Sequence, residues 1–220
     1  MKDELDVTPP FSRDDAQVIE RDSPYQGFFR LDRIRLRHRL YEGGWSKELT
    51  RELFVRHQAM AVLPYDPVRH TLLMVEQFRV GALDWRDSPW CLELIAGIAD
   101  VEGETLHDLV RREAREEAGV QLGELVPISS YMPSPGGTDE RLHLFLARAD
   151  LSDAGGVHGN PGEGEDIRAL VLDADAIPAL LDSGRVDNAA SQIALHWFLV
   201  NGEYWRRQWL ASEGAGIVEP

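Results

Sequence analysis

Hydrophobic and polar positions alternate along residues 28–40, close to the start of the chain. Alternation with a period of two predicts a half-buried β-strand. The pair Gly43–Gly44 predicts a turn after this strand, and residues 49–57 have the pattern of a partner strand. Residues 1–22 are mostly polar and contain two adjacent prolines, which predicts an irregular arm. The start of the chain therefore predicts an arm followed by a small antiparallel sheet.

Apolar runs become longer after residue 57, and this change predicts a second, larger domain. The predicted strands are at 59–64, 71–78, 90–96, 122–134, 141–150 and 167–172. The predicted helices are at 105–118, 173–183 and 188–200, and the glycines that follow them are Gly119, Gly184 and Gly202. A glycine after a helical pattern indicates the end of the helix. The chain is thus predicted to divide into an arm and small β domain at 1–57 and a domain of mixed α/β (α+β) class at 58–220.

The helix predicted at 105–118 carries three carboxylates in an unusual place. A period of 3.6 residues groups Leu106, Leu109, Val110, Ala114 and Ala118 into one apolar stripe. Glu113 and Glu117 fall within this stripe, and Glu116 falls on its edge. Carboxylates on the core side of a helix need partners, because an unpaired buried charge is costly. A hard divalent cation, which prefers oxygen ligands, is the best candidate for that partner.

A solvated acidic face is the alternative explanation for these glutamates. Such a face would lie opposite the apolar stripe, but that side holds Asp108, Arg111, Arg112 and Arg115 instead. Arg112 and Glu116 have the i,i+4 spacing of an ion pair, yet one arginine cannot serve all three acids. The pattern therefore favours a metal site over a solvated face.

Composition narrows the classes of partner. The net charge is −15, from 23 basic and 38 acidic residues, which argues against nucleic acid or an anionic membrane as partner. Bound metal reverses the local field, so an anionic small substrate stays compatible. The single cysteine, Cys91, excludes an intramolecular disulfide framework and is expected in the core. Without an apolar signal segment or an apolar run of membrane-spanning length, a cytoplasmic location is expected.

The chain resembles the Nudix hydrolase family in this same helix. The family signature contains a glutamate, seven further residues, and then R-E-x-x-E-E-x-G followed by an aliphatic residue. Glu104 and the run from Arg112 to Val120 match it at the required spacing. The signature places five residues between its first glycine and Glu104, whereas six separate Gly97 from Glu104 here. The loop is therefore one residue longer than the pattern.

Further segments are similar to the bacterial ADP-ribose pyrophosphatase branch of that family. They include VEQFR at 75–79, SPGGT at 134–138 and EDIR at 165–168. The resemblance implies a Nudix α/β/α sandwich with a mixed sheet, preceded by a small antiparallel β domain that is exchanged across a homodimer. It also implies cleavage of ADP-ribose to AMP and ribose 5-phosphate, dependent on two or three Mg²⁺ ions per site, with Mn²⁺ as a substitute.

Family roles can be carried over to matching positions. The implied metal ligands are the Ala96 backbone carbonyl and the carboxylates of Glu113, Glu116, Glu117 and Glu165. The implied catalytic residues are Glu163, which activates water, Glu116, and Arg112, which orients the glutamates. Viewed without the resemblance, Glu163 and Glu165 are more often solvated loop charges, and Arg112 is equally often a surface arginine.

The resemblance also implies a substrate site. Its implied residues are Phe28, Arg51, Glu52, Arg79, Ser134 and Glu140. Arg51 and Arg79 match contacts to the diphosphate or adenosine, Glu140 matches a contact to the terminal ribose, and Phe28 is placed to stack on adenine or to lie in the core. Two other functions stay open: hydrolysis of another nucleoside diphosphate sugar, and sensing of ADP-ribose without cleavage. The retained carboxylates and the acidic charge disfavour the sensor.

Overall fold

The computed structural model describes residues 7–214, with the backbone alone at Glu163, Glu213 and Gly214. The strands are β1 (Ala16–Gln26), β2 (Arg30–His38), β3 (Leu49–Val55), β4 (Gln58–Asp66), β5 (Thr71–Phe78), β6 (Trp90–Glu93), β7 (Ile95–Ile98), β8 (Leu122–Tyr131), β9 (Arg141–Ala149), β10 (Gly156–His158) and β11 (Ile167–Asp173). The α-helices are α1 (Leu106–Ala118), α2 (Ile177–Asp182) and α3 (Ala189–Gly214). The chain folds as two compact units.

The first unit runs up to Arg56 and also contains Ser134–Glu140. Its sheet has the antiparallel order β1-β2-β3, in which β2 and β3 correspond to the two predicted strands. Ser134–Glu140 lies beside β3: the Phe54 N–H donates to the Gly137 carbonyl at 2.8 Å, and the Arg56 N–H donates to Asp139 Oδ1 at 2.7 Å. A segment that is distant in sequence thus completes the small sheet.

The prediction of an irregular arm at 1–22 is wrong for residues 16–22, which belong to β1. This strand is exposed along almost its whole length, so it has no apolar face to produce an alternating pattern. Its hydrogen bonds to β2, and not burial, define it. Residues 1–6 of the predicted arm lie outside the described part of the chain.

The second unit contains His57–Pro133 and the chain from Arg141 onward. Its eight-stranded sheet has the order β10-β11-β5-β4-β9-β8, with β6 added to β5 and β7 added to β4. The pair β4–β9 is parallel and the other pairs are antiparallel. The predicted mixed α/β architecture with a small antiparallel sheet is therefore confirmed.

Both faces of the large sheet are buried, which explains why its central strands are continuous apolar runs. On one face Leu73 and Val75 of β5 belong to the cluster that includes Leu109 and Val110 of α1. On the other face the alternate residues of β5 belong to the cluster that includes Leu195, Phe198 and Trp209 of α3. Helix α1 is thus fixed against one face of the sheet, and its polar edge defines the position of the glutamates.

Several element boundaries differ from the sequence prediction, among them the end of β8, which stops at Tyr131 instead of residue 134. The run at 90–96 divides at Leu94, because β6 pairs with β5 while β7 pairs with β4. Helix α3 continues through Gly202 to Gly214, since Gly202 packs directly on the Phe198 ring and apolar residues continue to Trp209. The helix predicted at 173–183 begins as a 3₁₀ turn at Ala174–Ala176. Strand β10 was not predicted.

The functional division at residue 57, with a dimerisation domain at 1–57 and a hydrolase domain at 58–220, stays a prediction. Cys91 is buried and free, as expected. None of the helices within residues 7–214 combines the length and apolarity required to cross a lipid bilayer.

Candidate active site

Both ends of α1 are capped by the residue types that the sequence provides. The Thr105 side chain accepts a hydrogen bond from the Asp108 N–H at 3.2 Å. At the other end Gly119 has φ +67°, a left-handed conformation that glycine adopts without strain. Its N–H donates to the Arg115 carbonyl at 3.0 Å, and the next N–H donates to the Ala114 carbonyl at 3.1 Å. These caps fix the two ends of the helix that carries the glutamates.

The three glutamates of α1 differ in burial as their positions on the stripe predict. The side chain of Glu117 is 3% exposed and that of Glu113 is 14% exposed, whereas that of Glu116 is 48% exposed. Glu117 Oε2 accepts a hydrogen bond from the Ala96 N–H at 3.1 Å. Glu113 lies so close to Gly97 that a Cβ there would collide with the carboxylate. Glu113 and Glu117 therefore face the backbone of Gly97 and Ala96, next to the implied carbonyl ligand.

Burial changes the acidity of two of these carboxyls. It raises the pKa of Glu117 to about 8, where the Ala96 N–H and the Arg79 charge oppose the rise and repulsion from Glu113 and Glu165 adds to it. Burial also raises the pKa of Glu113 to about 7, where Arg112 opposes the rise and repulsion from Glu116 and Glu165 adds to it. A nearby divalent cation would favour the ionised forms, so the cluster has the electrostatics of a cation site.

Arg112 connects the cluster to the preceding loop. Its Nε and Nη2 donate to Glu104 Oε1 and Oε2 at 2.9 and 3.2 Å, and its Nη1 lies 2.9 Å from Glu113 Oε1 and from Glu116 Oε2. The hydrogen bond from Arg112 holds the pKa of Glu104 below its ordinary value. Among the described contacts Arg112 does not reach Glu117. The arginine is thus not a free surface residue, although its role in catalysis stays a prediction.

The extra loop residue does not disturb this arrangement. The chain turns at 101–103, where Gly103 has φ +82°, and the Glu104 N–H donates to the Val101 carbonyl at 3.3 Å. Glu104 still forms its two-bond contact with Arg112. The turn absorbs the insertion before the helix begins.

The loop that carries Glu165 is attached to α1. The Gly159 N–H donates to the Glu116 carbonyl at 3.1 Å, and the Asn160 N–H donates to Glu165 Oε2 at 3.0 Å. Glu165 is close enough for its charge to raise the pKa of Glu113 and Glu117. Glu163 ends the 3₁₀ turn Pro161–Glu163, but its side chain lies outside the described part. Its assignment as the water-activating group therefore stays a prediction.

The implied ligands have the donor atoms that a hard divalent metal prefers. Their donors are carboxylate and carbonyl oxygens, which suit Mg²⁺ and Mn²⁺. Within the described residues, however, no three side chains converge closely enough to enclose an ion. Arg112 and the Ala96 N–H between them contact one oxygen of each helix glutamate, and a carboxylate has a second oxygen that can bind an ion. The assignment of Glu113, Glu116, Glu117 and Glu165 as ligands stays a prediction.

The raised pKa of Glu117 gives a prediction for the protein in EDTA. An acid whose pKa is about 8 in the fold and near 4.5 when unfolded holds an extra proton in the folded state between those values. Its contribution to stability therefore falls as pH rises from 4.5 to 8. We therefore expect the difference in melting temperature, Glu117→Gln minus the unchanged protein, to become more positive as pH rises from 4.5 to 8. Mg²⁺ or Mn²⁺ should restore stability to the unchanged protein at pH 8.

Thermal melts of both proteins in EDTA from pH 5 to 8.5 measure this difference. Glu102→Gln changes an exposed loop glutamate and should follow the unchanged protein. Parallel curves for Glu117→Gln would contradict the raised pKa.

Arg79, at the end of β5, is the one predicted substrate residue in the second unit. Its Nε donates to Glu93 Oε2 at 2.7 Å. It borders a pocket of about 320 Å³ lined by Arg79, Gly81, Ala82, Trp85, Arg86, Cys91, Glu93 and Asp187. One lining residue, Trp85, is 87% exposed. Arg79 is thus available to an anion beside the glutamate cluster.

The remaining predicted substrate residues lie in the first unit. Arg51 and Glu52 are exposed on β3, and the Arg51 Nη1 donates to the Thr50 carbonyl at 2.9 Å. The Ser134 carbonyl accepts the Gly137 and Thr138 N–H groups at 3.0 Å each, which closes the turn. Substrate contact by these residues stays a prediction.

Phe28 and Glu140 belong to one aromatic and charged surface of the first unit. Phe28 is 87% exposed, which excludes a core role, and its ring contacts Phe29 edge-on at 4.7 Å. Arg56 lies over the Phe29 ring at 4.5 Å and pairs with Glu140 at 3.0 Å. Sequence reasoning missed Arg56. Arg56 lies two residues after Phe54 on the predicted strand, and this spacing places both side chains on the same face of the strand.

Known proteins match the chain over almost its whole length. A profile of the NUDIX domain matches residues 55–191. An ADP-ribose pyrophosphatase of Escherichia coli K12 is 42% identical over 207 residues, which cover 94% of this chain and 98% of that protein. An ADP-ribose pyrophosphatase of Haemophilus influenzae is 39% identical over 205 residues, covering 92% and 94%. A GDP-mannose pyrophosphatase of Pectobacterium atrosepticum is 30% identical over 165 residues, covering 73% and 81%.

A solved structure shares the fold. The protein described as an ADP compounds hydrolase superposes with a TM-score of 0.62 at 18% sequence identity. The superposition covers 90% of this chain and 96% of that one. Agreement at this level of sequence identity supports the architecture alone.

Proposed function

Because this chain belongs to the Nudix family, we propose that it hydrolyses the pyrophosphate bond of ADP-ribose to AMP and ribose 5-phosphate in a Mg²⁺-dependent reaction. The observation that carries this proposal is the position of Glu113 and Glu117, which lie on the core side of α1 next to the Ala96–Gly97 backbone. Relatives named for ADP-ribose match at higher identity and over more of the chain than the one named for GDP-mannose. Hydrolysis of another nucleoside diphosphate sugar is the second candidate.

The reaction has to overcome the charge of its substrate. Two or three Mg²⁺ ions, which Mn²⁺ can replace, would be held by the Ala96 carbonyl, Glu113, Glu116, Glu117 and Glu165. Ions held there would supply positive charge to neutralise the diphosphate and would lower the pKa of a bound water. Arg112 holds Glu113 and Glu116 in place through charge-assisted hydrogen bonds. Glu163 takes the proton of the attacking water, and Arg79 binds the diphosphate through its guanidinium.

The first unit supplies the other half of the substrate site in this proposal. Phe28 stacks on adenine, and Arg51, Glu52, Ser134 and Glu140 contact the nucleotide and the terminal ribose. These residues act on the partner's glutamate cluster in a homodimer with exchanged first units. The protein works in the cytoplasm, without nucleic acid or membrane partners. A sensor that binds without cleaving is disfavoured, because all the signature carboxylates are present.

Product analysis tests the reaction. The protein is incubated with a panel of nucleoside diphosphate sugars that includes ADP-ribose and GDP-mannose. We expect ADP-ribose to have the highest kcat/KM, AMP and ribose 5-phosphate to be its products, and EDTA to abolish turnover. A preference for GDP-mannose would select the second candidate. Tight binding of ADP-ribose without products would select the sensor.

A mixing experiment tests the exchanged dimer. If Arg51 acts on the partner's cluster, a dimer of one Arg51→Ala chain and one Glu117→Gln chain has one intact site. After subunit exchange we expect recovery to about a quarter of full activity, since half the dimers are mixed and one site in each is intact. The readout is ADP-ribose turnover before and after exchange.

The control mixes Arg79→Ala with Glu117→Gln, which both lie in the second unit. No mixed dimer then has an intact site, so activity should not recover. Equal recovery in both mixtures, or none in either despite proven exchange, would refute the shared site.

A further inference from the structure

The carboxylate of Glu93 accepts a hydrogen bond from Arg79, the predicted substrate-binding arginine of the second unit. Glu93 ends β6 and lies opposite Val75 of β5, so its side chain is on the face of the sheet that α1 covers. The Arg79 Nε donates to Glu93 Oε2 at 2.7 Å, and the Arg79 backbone N–H donates to the Pro89 carbonyl at 2.9 Å. The carboxylate is mostly buried, whereas the guanidinium is about half exposed. The base of Arg79 is therefore fixed while its tip faces solvent.

The contact leaves the outer edge of the guanidinium available. A guanidinium has five N–H donors, and the bond to Glu93 uses only the one on Nε. No described residue accepts a hydrogen bond from Nη1 or Nη2 of Arg79. These two groups form the planar fork that binds phosphate oxygens in pairs. A carboxylate at Nε thus orients the fork without occupying it.

The location of Arg79 connects this fork to the glutamate cluster. Its charge is one of the factors that oppose the burial-driven rise in the pKa of Glu117, so the two side chains are within electrostatic reach. We propose that Glu93 is a positioning residue that aims the Arg79 fork at the diphosphate, an inference that rests on the proposed pyrophosphate hydrolysis.

A second glutamate near the same strands shows what a purely structural ion pair looks like. Glu76 pairs with Arg185 and lies 3.5 Å from Arg168. Arg185 uses Nη2 for Glu76 and donates from Nη1 to the Trp90 carbonyl at 2.9 Å. Its outer donors are therefore committed within the fold, unlike those of Arg79. Glu76→Gln is accordingly the matched control for Glu93.

A double-mutant cycle tests the proposal through kinetics. The variants are Glu93→Leu, Arg79→Ala and the two combined, with kcat and KM for ADP-ribose measured at saturating Mg²⁺. We expect Glu93→Leu to raise KM about tenfold with kcat within about threefold. When Arg79→Ala is already present, adding Glu93→Leu should change kcat/KM by less than about twofold, because Glu93 acts on the substrate through Arg79. Glu93→Gln keeps an acceptor for Nε and should be intermediate, which also covers the case that Glu93→Leu folds poorly.

Equilibrium binding separates this proposal from the proposed reaction. The same cycle is measured with ADP by calorimetry in EDTA, where no turnover is needed. We expect Glu93→Leu to weaken ADP binding about tenfold alone and not at all beside Arg79→Ala. If the unchanged protein did not cleave ADP-ribose but the effect of Glu93→Leu on ADP binding still depended on Arg79, the proposed reaction would be refuted and the positioning role of Glu93 would stand. Two results would overturn the role of Glu93. The first is an equal loss of ADP affinity with and without Arg79→Ala. The second is a changed melting temperature with unchanged KM and ADP affinity, which is the result expected for Glu76→Gln.

Discussion

We expect Glu117→Gln and Glu116→Gln each to lower kcat for ADP-ribose by about 10²-fold or more at saturating Mg²⁺. Gln keeps the size of the side chain but removes the negative charge that holds a cation. In the proposed reaction a cation held by these residues would neutralise the diphosphate, so its loss would affect the transition state and not only substrate binding. Steady-state kinetics over a range of Mg²⁺ concentrations measures the effect.

Folding can be excluded as the cause of this loss. Glu117 is buried with a raised pKa, so glutamine resembles the protonated form that the metal-free fold already favours. Glu117→Gln should therefore melt at the same temperature as the unchanged protein, or higher, at pH 8 in EDTA. Glu102→Gln should retain both activity and stability. Full turnover by either signature variant would refute the metal assignment.

The second large effect is expected in the loop that follows β10. Glu163→Gln should reduce kcat by roughly 10²-fold with little change in KM, because a lost general base affects proton transfer and not binding. Glu165→Gln should instead raise the Mg²⁺ concentration needed for half activity. The two residues are separated only by Gly164, so each variant is the control for the other.

Two results would contradict this division of roles. If both variants shifted the Mg²⁺ dependence in the same way, both carboxylates would be ligands. If Glu163→Gln had nearly full activity, another carboxylate would activate the water. In either case the pH profile of kcat reports the pKa of the groups that titrate in the enzyme–substrate complex, and its change in each carboxylate variant tests that carboxylate.

Local spacing made the centre of the site predictable. Glu113, Glu116 and Glu117 occur on one amphipathic helix, and period 3.6 alone places two of them toward the core, where the structure has them. The helix caps at Thr105 and Gly119 are equally local. Features that depend on residues within one or two turns of each other need no tertiary information.

Partners distant in sequence were not predictable in the same way. Glu93 is separated from Arg79 by a loop, and the pairing of β5 with β6 brings them together. Strand β1 has no apolar face, so only its hydrogen bonds to β2 define it. In α3, apolar contacts beyond Gly202 outweigh the helix-ending tendency of glycine. In each case a tertiary contact decided the outcome.

The segment Ser134–Glu140 makes the small sheet unsuitable as a transferable module. In the chain it lies between β8 and β9, yet it folds with the first unit through its contacts to β3. Deletion of the residues before His57 would remove β3, the strand to which this segment forms hydrogen bonds. A chimera that takes only residues up to Arg56 from a relative would join β3 of one protein to the segment of another. Successful recombination within the family therefore requires both pieces to be inherited together, with three crossovers in the gene: after Arg56, before Ser134 and after Glu140.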